Sequence, residues 1–194
     1  PISYTYDGAT QAQGVLGEHR YVVRETSASA DGVEGVSAQE YEFVVTVADK
    51  GDGTLAVTSI GDDTQKLDFA NEYRATGSIT FGGNKRIDKR DIQEGETFEF
   101  VVREGTKTVA SGTSDQSGAI AYDAIEYVLS KDRDDTGIHT YQVSETLADA
   151  RGVKSTNKTH TVRVQVEDAG DGHLVATVMD GKNKDSLDFI NNYA

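Results

Sequence analysis

Apolar and polar residues alternate with a period of two through most of the chain, the signature of strands that bury one face. In the last segment, "LDFINNYA", Leu187, Phe189, Asn191 and Tyr193 fall on one face. Three of the four are apolar or aromatic and the fourth is an amide, whose burial without a partner costs about 1–3 kcal/mol. The same arrangement stands earlier in "LDFANEY", with Asn71 between Phe69 and Tyr73. Strands are predicted over 77–81, 97–104, 107–114, 119–127, 139–146, 159–168, 173–180 and 186–193. Turn signals separate them at roughly 8–15-residue intervals, as in an antiparallel β-sandwich. Only "YVLSKDRDDTG" (127–137) reads as a short helix or long loop.

The pattern also repeats at long range. "YVVRET" (21–26) matches "YQVSET" (141–146), "DKGDGTLAV" (49–57) matches "DAGDGHLVA" (168–176), and "LDFANEY" (67–73) matches "LDFINNY" (187–193). Glu25 and Glu145, Gly32 and Gly152, Asn71 and Asn191, and Tyr73 and Tyr193 are each 120 positions apart, with a one-residue slip near the GDG turn. The chain therefore divides into tandem modules, 1–74 and 75–194. Tyr73 runs through Arg74 into the next strand without a Gly/Ser-rich or Pro-rich linker, as in a stiff rod of domains. Setting "ISYTYDG" against "AIAYDAI" (119–125) leaves the first module without the counterpart of residues 75–118.

Face assignment places three polar groups on apolar stripes. Tyr141 and Val143 carry Glu145 onto their side of the strand, and Tyr21 and Val23 do the same for Glu25. In "GSITFGGNKRID", Ile79, Phe81, Gly83, Lys85 and Ile87 share a face, so Lys85 continues the stripe, whereas Lys89 falls in a solvated loop. Burying an ammonium, a carboxylate and an amide separately is prohibitive, but together they can exchange protons. Burial lowers an amine's pKa and raises a carboxyl's, so a neutral amine beside a protonated acid becomes accessible. Such an amine can attack an asparagine carbonyl while the acid polarises it and shuttles protons, leaving a Lys–Asn isopeptide link and ammonia.

Composition narrows the partners. With 36% hydrophobic residues, mean hydropathy of −0.52, one proline and twenty glycines, the 194-residue chain has the make-up of one or two globular β domains. A net charge of −14 opposes nucleic acid or any other polyanion. No apolar run approaches the ~20 residues that cross a bilayer, and no leader pattern follows Pro1; a piece of an exported protein would lack both leader and anchor. Without cysteine there are no disulfides or thiolate metal sites.

These residues resemble a known family. "NKRIDKRDIQEGETFEF", "VASGTSDQSGAIAY", "DTGIHTYQVSET", "DAGDGHLVATV" and "FINNY" are similar to the isopeptide-linkage domains of streptococcal and other Gram-positive pilins and adhesins, the CnaB-like modules. The resemblance spans essentially all of 75–194. It implies an all-β fold of tandem immunoglobulin-like sandwiches, with Lys85 as the cross-linking lysine on the first strand, Glu145 as the catalytic acid and Asn191 as the bond partner. Its implied role is a shaft or stalk module, extracellular and cell-wall-anchored, bonded to neighbouring modules or subunits of one fibre. The bond would form once without turnover, so no enzyme in the usual sense is implied, and no cofactor.

The first module matches from the central hairpin onward, with Glu25 and Asn71 in the corresponding places, but its lysine strand is missing. Lys50 lies at a turn and Lys66 before the last strand. Two explanations follow: the chain is a piece of a longer shaft, the favoured one, or a Lys-bearing segment is supplied by another chain and joins Asn71. The alternative function is an adhesin domain that meets a host glycan or protein through loops such as 25–35 or 131–137, although these loops carry no aromatic cluster. Calcium at "DKGDGT", "EDAGDG" or "KDRDDTG" is the weaker reading, because the first two lack a distant bidentate acid and fit D-G hairpin turns. No histidine has metal spacing, so no metal site is assigned, and Ser144 has no histidine to activate it.

Overall fold

The computed structural model describes residues 1–7, 15–26, 30–35, 37–61, 67–146 and 152–194. Every regular element among them is a β-strand. They fall into two compact units, Pro1–Ser29 with Glu34–Asn71, and Ala30–Val33 with Glu72–Ala194.

The first unit is built on β1 (Gly17–Arg24), β3 (Glu40–Asp49) and β4 (Leu55–Gly61); the short β2 (Val33–Glu34), between the first two in sequence, falls at the division between the units. β1, β3 and β4 form an antiparallel sheet in that order, with Tyr21 opposite Phe43 and Val47 opposite Val57. Its inward face is thinly covered. Tyr41 and Val47 are buried, while Tyr21, Val23, Phe43 and Val45 stay half-exposed. Tyr41 is held by an edge-on contact with Phe69 and by donating its hydroxyl hydrogen to Asp68 O at 2.7 Å.

The second unit contains β5 (Glu72–Tyr73), β6 (Ala75–Ile79), β7 (Lys85–Ile87), β8 (Phe98–Glu104), β9 (Lys107–Ser114), β10 (Ile120–Tyr122) and β11 (Ile125–Ser130). It continues with β12 (Arg133–Asp134), β13 (Gly137–Glu145), β14 (Val153–Lys154), β15 (Thr159–Asp168), β16 (Leu174–Val178) and β17 (Phe189–Tyr193). A six-stranded sheet, β10-β9-β8-β13-β15-β16, forms one layer, two three-stranded sheets, β12-β11-β6 and β14-β17-β7, supply most of the other elements, and β5 pairs with β2. The core holds Phe81, Phe98, Phe100, Tyr127, Tyr141, Val143, Val162, Val164, Val166 and Phe189. β13 is flanked by both β8 and β15, whereas β1 in the first unit pairs only with β3 among the described residues. That difference explains why Tyr141 and Val143 are sealed while Tyr21 and Val23 are not.

Four expectations are corrected. Residues 127–137 are neither helix nor long loop: β11 runs to Ser130, and Asp135 closes a hairpin by accepting Val128 N on Oδ2 at 2.7 Å and donating its own N–H to Val128 O at 3.0 Å. The single strand expected over 119–127 is two, because Asp123 caps Ser111 and the chain turns from the sheet of β9 to that of β6. Lys85 is not on the first strand of its module. β6 ends at Ile79, the chain crosses at Gly82–Gly83, and Lys85 opens the separate β7, which runs parallel to β17.

The fourth correction concerns the repeat. Tyr4 and Tyr21 share a hydroxyl–hydroxyl hydrogen bond at 2.6 Å, as do Tyr127 and Tyr141 at 2.9 Å. His19 Nε2 lies 2.8 Å from Val15 O, and His139 Nε2 lies 2.8 Å from Asp135 O. "ISY" (2–4) is therefore the counterpart of "IEY" (125–127), not part of a match to 119–125. Alternation alone could not distinguish the two alignments, because both put a tyrosine in a strand.

The Gly82–Gly83 crossing exists because the backbone passes flush against the segment before β17. A Cβ on Gly83 would lie 2.2 Å from Leu187 O. Gly83→Ala should therefore displace β7 or the 185–188 segment and cost about 1–3 kcal/mol. A urea midpoint unchanged from the parent would show that the crossing is less tight than this geometry requires.

Candidate functional site

β7 is pinned along both edges. Lys85 N donates to Gly118 O at 2.6 Å and Ile120 N to Gly83 O at 2.9 Å on one side. On the other, Phe189 N donates to Asn84 O at 2.8 Å and Asp88 N to Asn191 O at 2.9 Å. This parallel pairing sets Lys85 opposite Phe189 and Ile87 opposite Asn191. Alternation then turns Lys85, Ile87, Phe189 and Asn191 into the core, each at 7% exposure or less. Tyr193 departs from its expected inward position and is 39% exposed.

Glu145 enters from the six-stranded sheet, at the end of β13 and opposite Phe100. Its carboxylate meets both partners. Lys85 Nζ lies 2.9 Å from Oε1 and 3.0 Å from Oε2, and Asn191 Nδ2 donates to Oε1 at 3.0 Å. The side chains of Lys85 and Glu145 are 0% and 3% exposed. Phe98 lies under the ammonium at 4.8 Å, and Phe100 and Phe189 meet at a tilt with ring centroids 4.9 Å apart, so aromatic rings line this part of the core. Asn191 Oδ1 is buried and has no hydrogen-bond partner among the described residues. An orphaned buried acceptor of this kind costs about 1–3 kcal/mol, so the amide is held in a setting that favours any donor reaching its carbonyl.

Two contacts of the site left no mark in the alternation. Ser155 Oγ donates to Glu145 Oε2 at 3.4 Å from an irregular stretch after β14. Phe98 falls in the strand predicted over 97–104, but its place beneath Lys85 depends on two sheets meeting. Lys89 is solvated as expected, with its side chain 72% exposed.

In the first unit Glu25 and Asn71 also come together. Asn71 Nδ2 donates to Glu25 Oε1 at 2.7 Å and Ser37 N to Oε2 at 2.6 Å. These donors, Asn71 first, hold the Glu25 carboxyl below its usual value, and the pair is open to solvent, with Asn71 exposed and Glu25 half-buried. Lys50 lies in the exposed turn after β3, and Lys66 lies outside the described residues, as do positions 27–29 of the loop 25–35. The acidic loops are turns. Asp49 and Asp168 each accept a glycine N–H two residues on, and Asp134 does the same for Thr136.

The chain matches the Spy0128-like isopeptide containing domain, FctA, over residues 1–74 and 81–194. It belongs to this family. A search of curated proteins finds no match. The FctA match makes the chain a structural pilin module of the Gram-positive isopeptide type, a family of extracellular fibres built from neighbouring subunits. Among the described residues of this FctA chain, no helix is long and apolar enough to cross a membrane.

Burial pushes the Lys85 pKa below its ordinary 10.5, against the opposing hydrogen bond and charge of Glu145. A folded-state value below the unfolded one means that the unfolded chain binds more protons between the two, so stability rises with pH across that window. In an Asn191→Ala variant, which has no amide at this position, the urea midpoint should climb as pH rises through the alkaline range toward 10.5. Adding Lys85→Met to that background should flatten the climb, and an equal slope in both variants would assign it to other groups.

Proposed function

We propose that Lys85 and Asn191 form an intramolecular isopeptide bond assisted by Glu145, and that residues 75–194 form a complete shaft module stiffened by it. The observation that carries this reading is the single carboxylate that holds the lysine amine and the asparagine amide side by side in a dry core. Lys85 first passes a proton to Glu145, which yields a neutral amine and a carboxylic acid. With the amide turned over, the acid hydrogen-bonds the otherwise orphaned Oδ1 and polarises the carbonyl. Nζ attacks Cγ, Glu145 relays a proton from Nζ to Nδ2, the Cγ–Nδ2 bond breaks and ammonia leaves. The acid ends as it stood after the first transfer, protonated, and a buried ammonium has been replaced by a neutral amide. The reaction runs once, without turnover.

The bond closes a loop of 106 residues (191 − 85). By analogy with disulfides, that closure stabilises the module by about 4–5 kcal/mol through the unfolded chain. Tension arriving near Ala75 and leaving at Tyr193 passes through the covalent bridge, so the strands between them carry little of it. Residues 1–74 are, on the same reading, a module that lacks its lysine strand. Glu25 and Asn71 there await a lysine from a segment outside residues 1–194, which would also cover the open edge of β1.

Intact mass should show the loss of one ammonia, and peptide mapping should recover Lys85 joined to Asn191. Glu145→Ala should retain the full mass and melt lower, consistent with losing about 4–5 kcal/mol; ammonia loss in that variant would show that the acid is misassigned. The same map should return Asn71 as a free amide, and a cross-linked peptide containing Asn71 from the pure chain would contradict the reading of the first module.

A further inference from the structure

Within the second unit, the turn Asp168–His173 is seated on the hairpin Ala30–Val33 and the segment Tyr73–Thr76. The Tyr73 hydroxyl donates to Asp168 Oδ1 at 2.7 Å and accepts from Gly172 N at 3.3 Å. Arg74 N donates to Gly32 O at 2.7 Å, and Thr76 N to Gly172 O at 3.0 Å. Gly32 and Gly172, with φ of 82° and 85°, approach so closely that a Cβ on Gly32 would lie 2.6 Å from Gly172 Cα.

Both halves of this contact occur a second time. The receiving half recurs at the end of β17, where Ala194 N donates to Gly152 O at 3.0 Å and Val153 pairs with Tyr193. Gly152 has φ of 76°, and its Cβ position lies 3.2 Å from the Tyr193 ring, as that of Gly32 lies 2.7 Å from the Tyr73 ring. The Arg90 guanidinium lies over the Tyr193 ring at 4.9 Å. The inserted half recurs at Asp49–Thr54 with the same internal bonds. Gly51 N reaches Asp49 Oδ1 at 2.8 Å and Gly170 N reaches Asp168 Oδ1 at 2.9 Å. Lys50 N reaches Thr54 O at 3.1 Å and Ala169 N reaches His173 O at 3.0 Å. Gly53 has φ of 84°, and nothing lies within 4 Å of its Cβ position.

We propose that the socket formed by Gly152, Tyr193 and Ala194 receives the Asp49–Gly53 turn of a second copy of this chain. Tyr193 then donates to Asp49 as Tyr73 does to Asp168, and Gly53 packs on Gly152 as Gly172 does on Gly32. The inference rests on reading the chain as a fibre module and names the surface by which successive copies meet. Turn and socket are different surfaces, so each contact is heterologous, joining one surface of a copy to another surface of its neighbour. It is small, and each copy carries a charge of −14, so free chains associate weakly and better at high salt. In a fibre the tethering of neighbours supplies the effective concentration that the contact requires.

The test is a dilution series of the intact chain by amide NMR and sedimentation, up to roughly millimolar concentration. Concentration-dependent shifts are expected at 49–54, 152–153 and 193–194, with a rising apparent mass. Gly53→Asn keeps the turn, because asparagine tolerates the left-handed backbone. It also places a side chain at the glycine–glycine approach, and it should abolish the association. Tyr193→Phe should weaken it about tenfold, as befits one hydrogen bond to a carboxylate. The absence of any concentration dependence, shifts mapping elsewhere, or parent-like behaviour of both variants would overturn the proposal. Ammonia loss measured on the same sample reports the Lys85–Asn191 reaction separately, so either reading can fail without the other.

Discussion

A lysine ammonium and a glutamate carboxylate share a nearly waterless space in the second unit, and the surrounding structure serves to make that tolerable. Removing one member of such a pair typically costs about 3–5 kcal/mol, because the other charge is left uncompensated. Glu145 comes from the six-stranded sheet, whereas Lys85 and Asn191 come from two strands of another sheet. The contact therefore ties the layers together at the point where the parallel pairing of β7 with β17 places lysine and asparagine on one face. The Gly82–Gly83 crossing, the Gly118 tip against Lys85 and the aromatic lining all act on the position of one amine.

The two units separate pairing from burial. Glu25 and Asn71 are hydrogen-bonded as closely as Glu145 and Asn191, yet solvent reaches them, and the donors around Glu25 hold its carboxyl in the ionised form. A hydrogen-bonded Glu–Asn pair is thus common to both modules. What differs in the second is the third residue and the covering strands that take the group out of water. The same strands account for the core: β8 seals the edge of β13, and no described strand does so for β1.

Repetition extends beyond the polar pair. The tyrosine–tyrosine hydroxyl bond, the histidine that reaches a carbonyl four residues back, the twin-aspartate turn and the glycine–tyrosine socket all occur in both halves of the chain. The proposed contact between copies would reuse a glycine–glycine approach and a tyrosine–aspartate hydrogen bond that the second unit already makes.

Much of this was legible in the order of residues. Period-two alternation marks most of the strands, the 120-residue spacing exposes the tandem copies, and an amide or acid on an apolar stripe singles out Glu145, Asn191 and their counterparts, because burying an unpaired polar group is too costly to be incidental. Lys85 follows from the same face count. Five matters were not legible. Alternation cannot tell one long strand from two that lie in different sheets, as at 119–130, nor show that Lys85 begins a strand of its own. It cannot reveal that β7 and β17 run parallel, that Phe98 and Ser155 complete the site, or that Tyr4 answers to Tyr127. Those depend on which strand lies beside which, and that is decided by contacts between residues far apart in sequence: a backbone passing within a Cβ's reach of Leu187, a hydroxyl meeting a hydroxyl, a carboxylate crossing between layers.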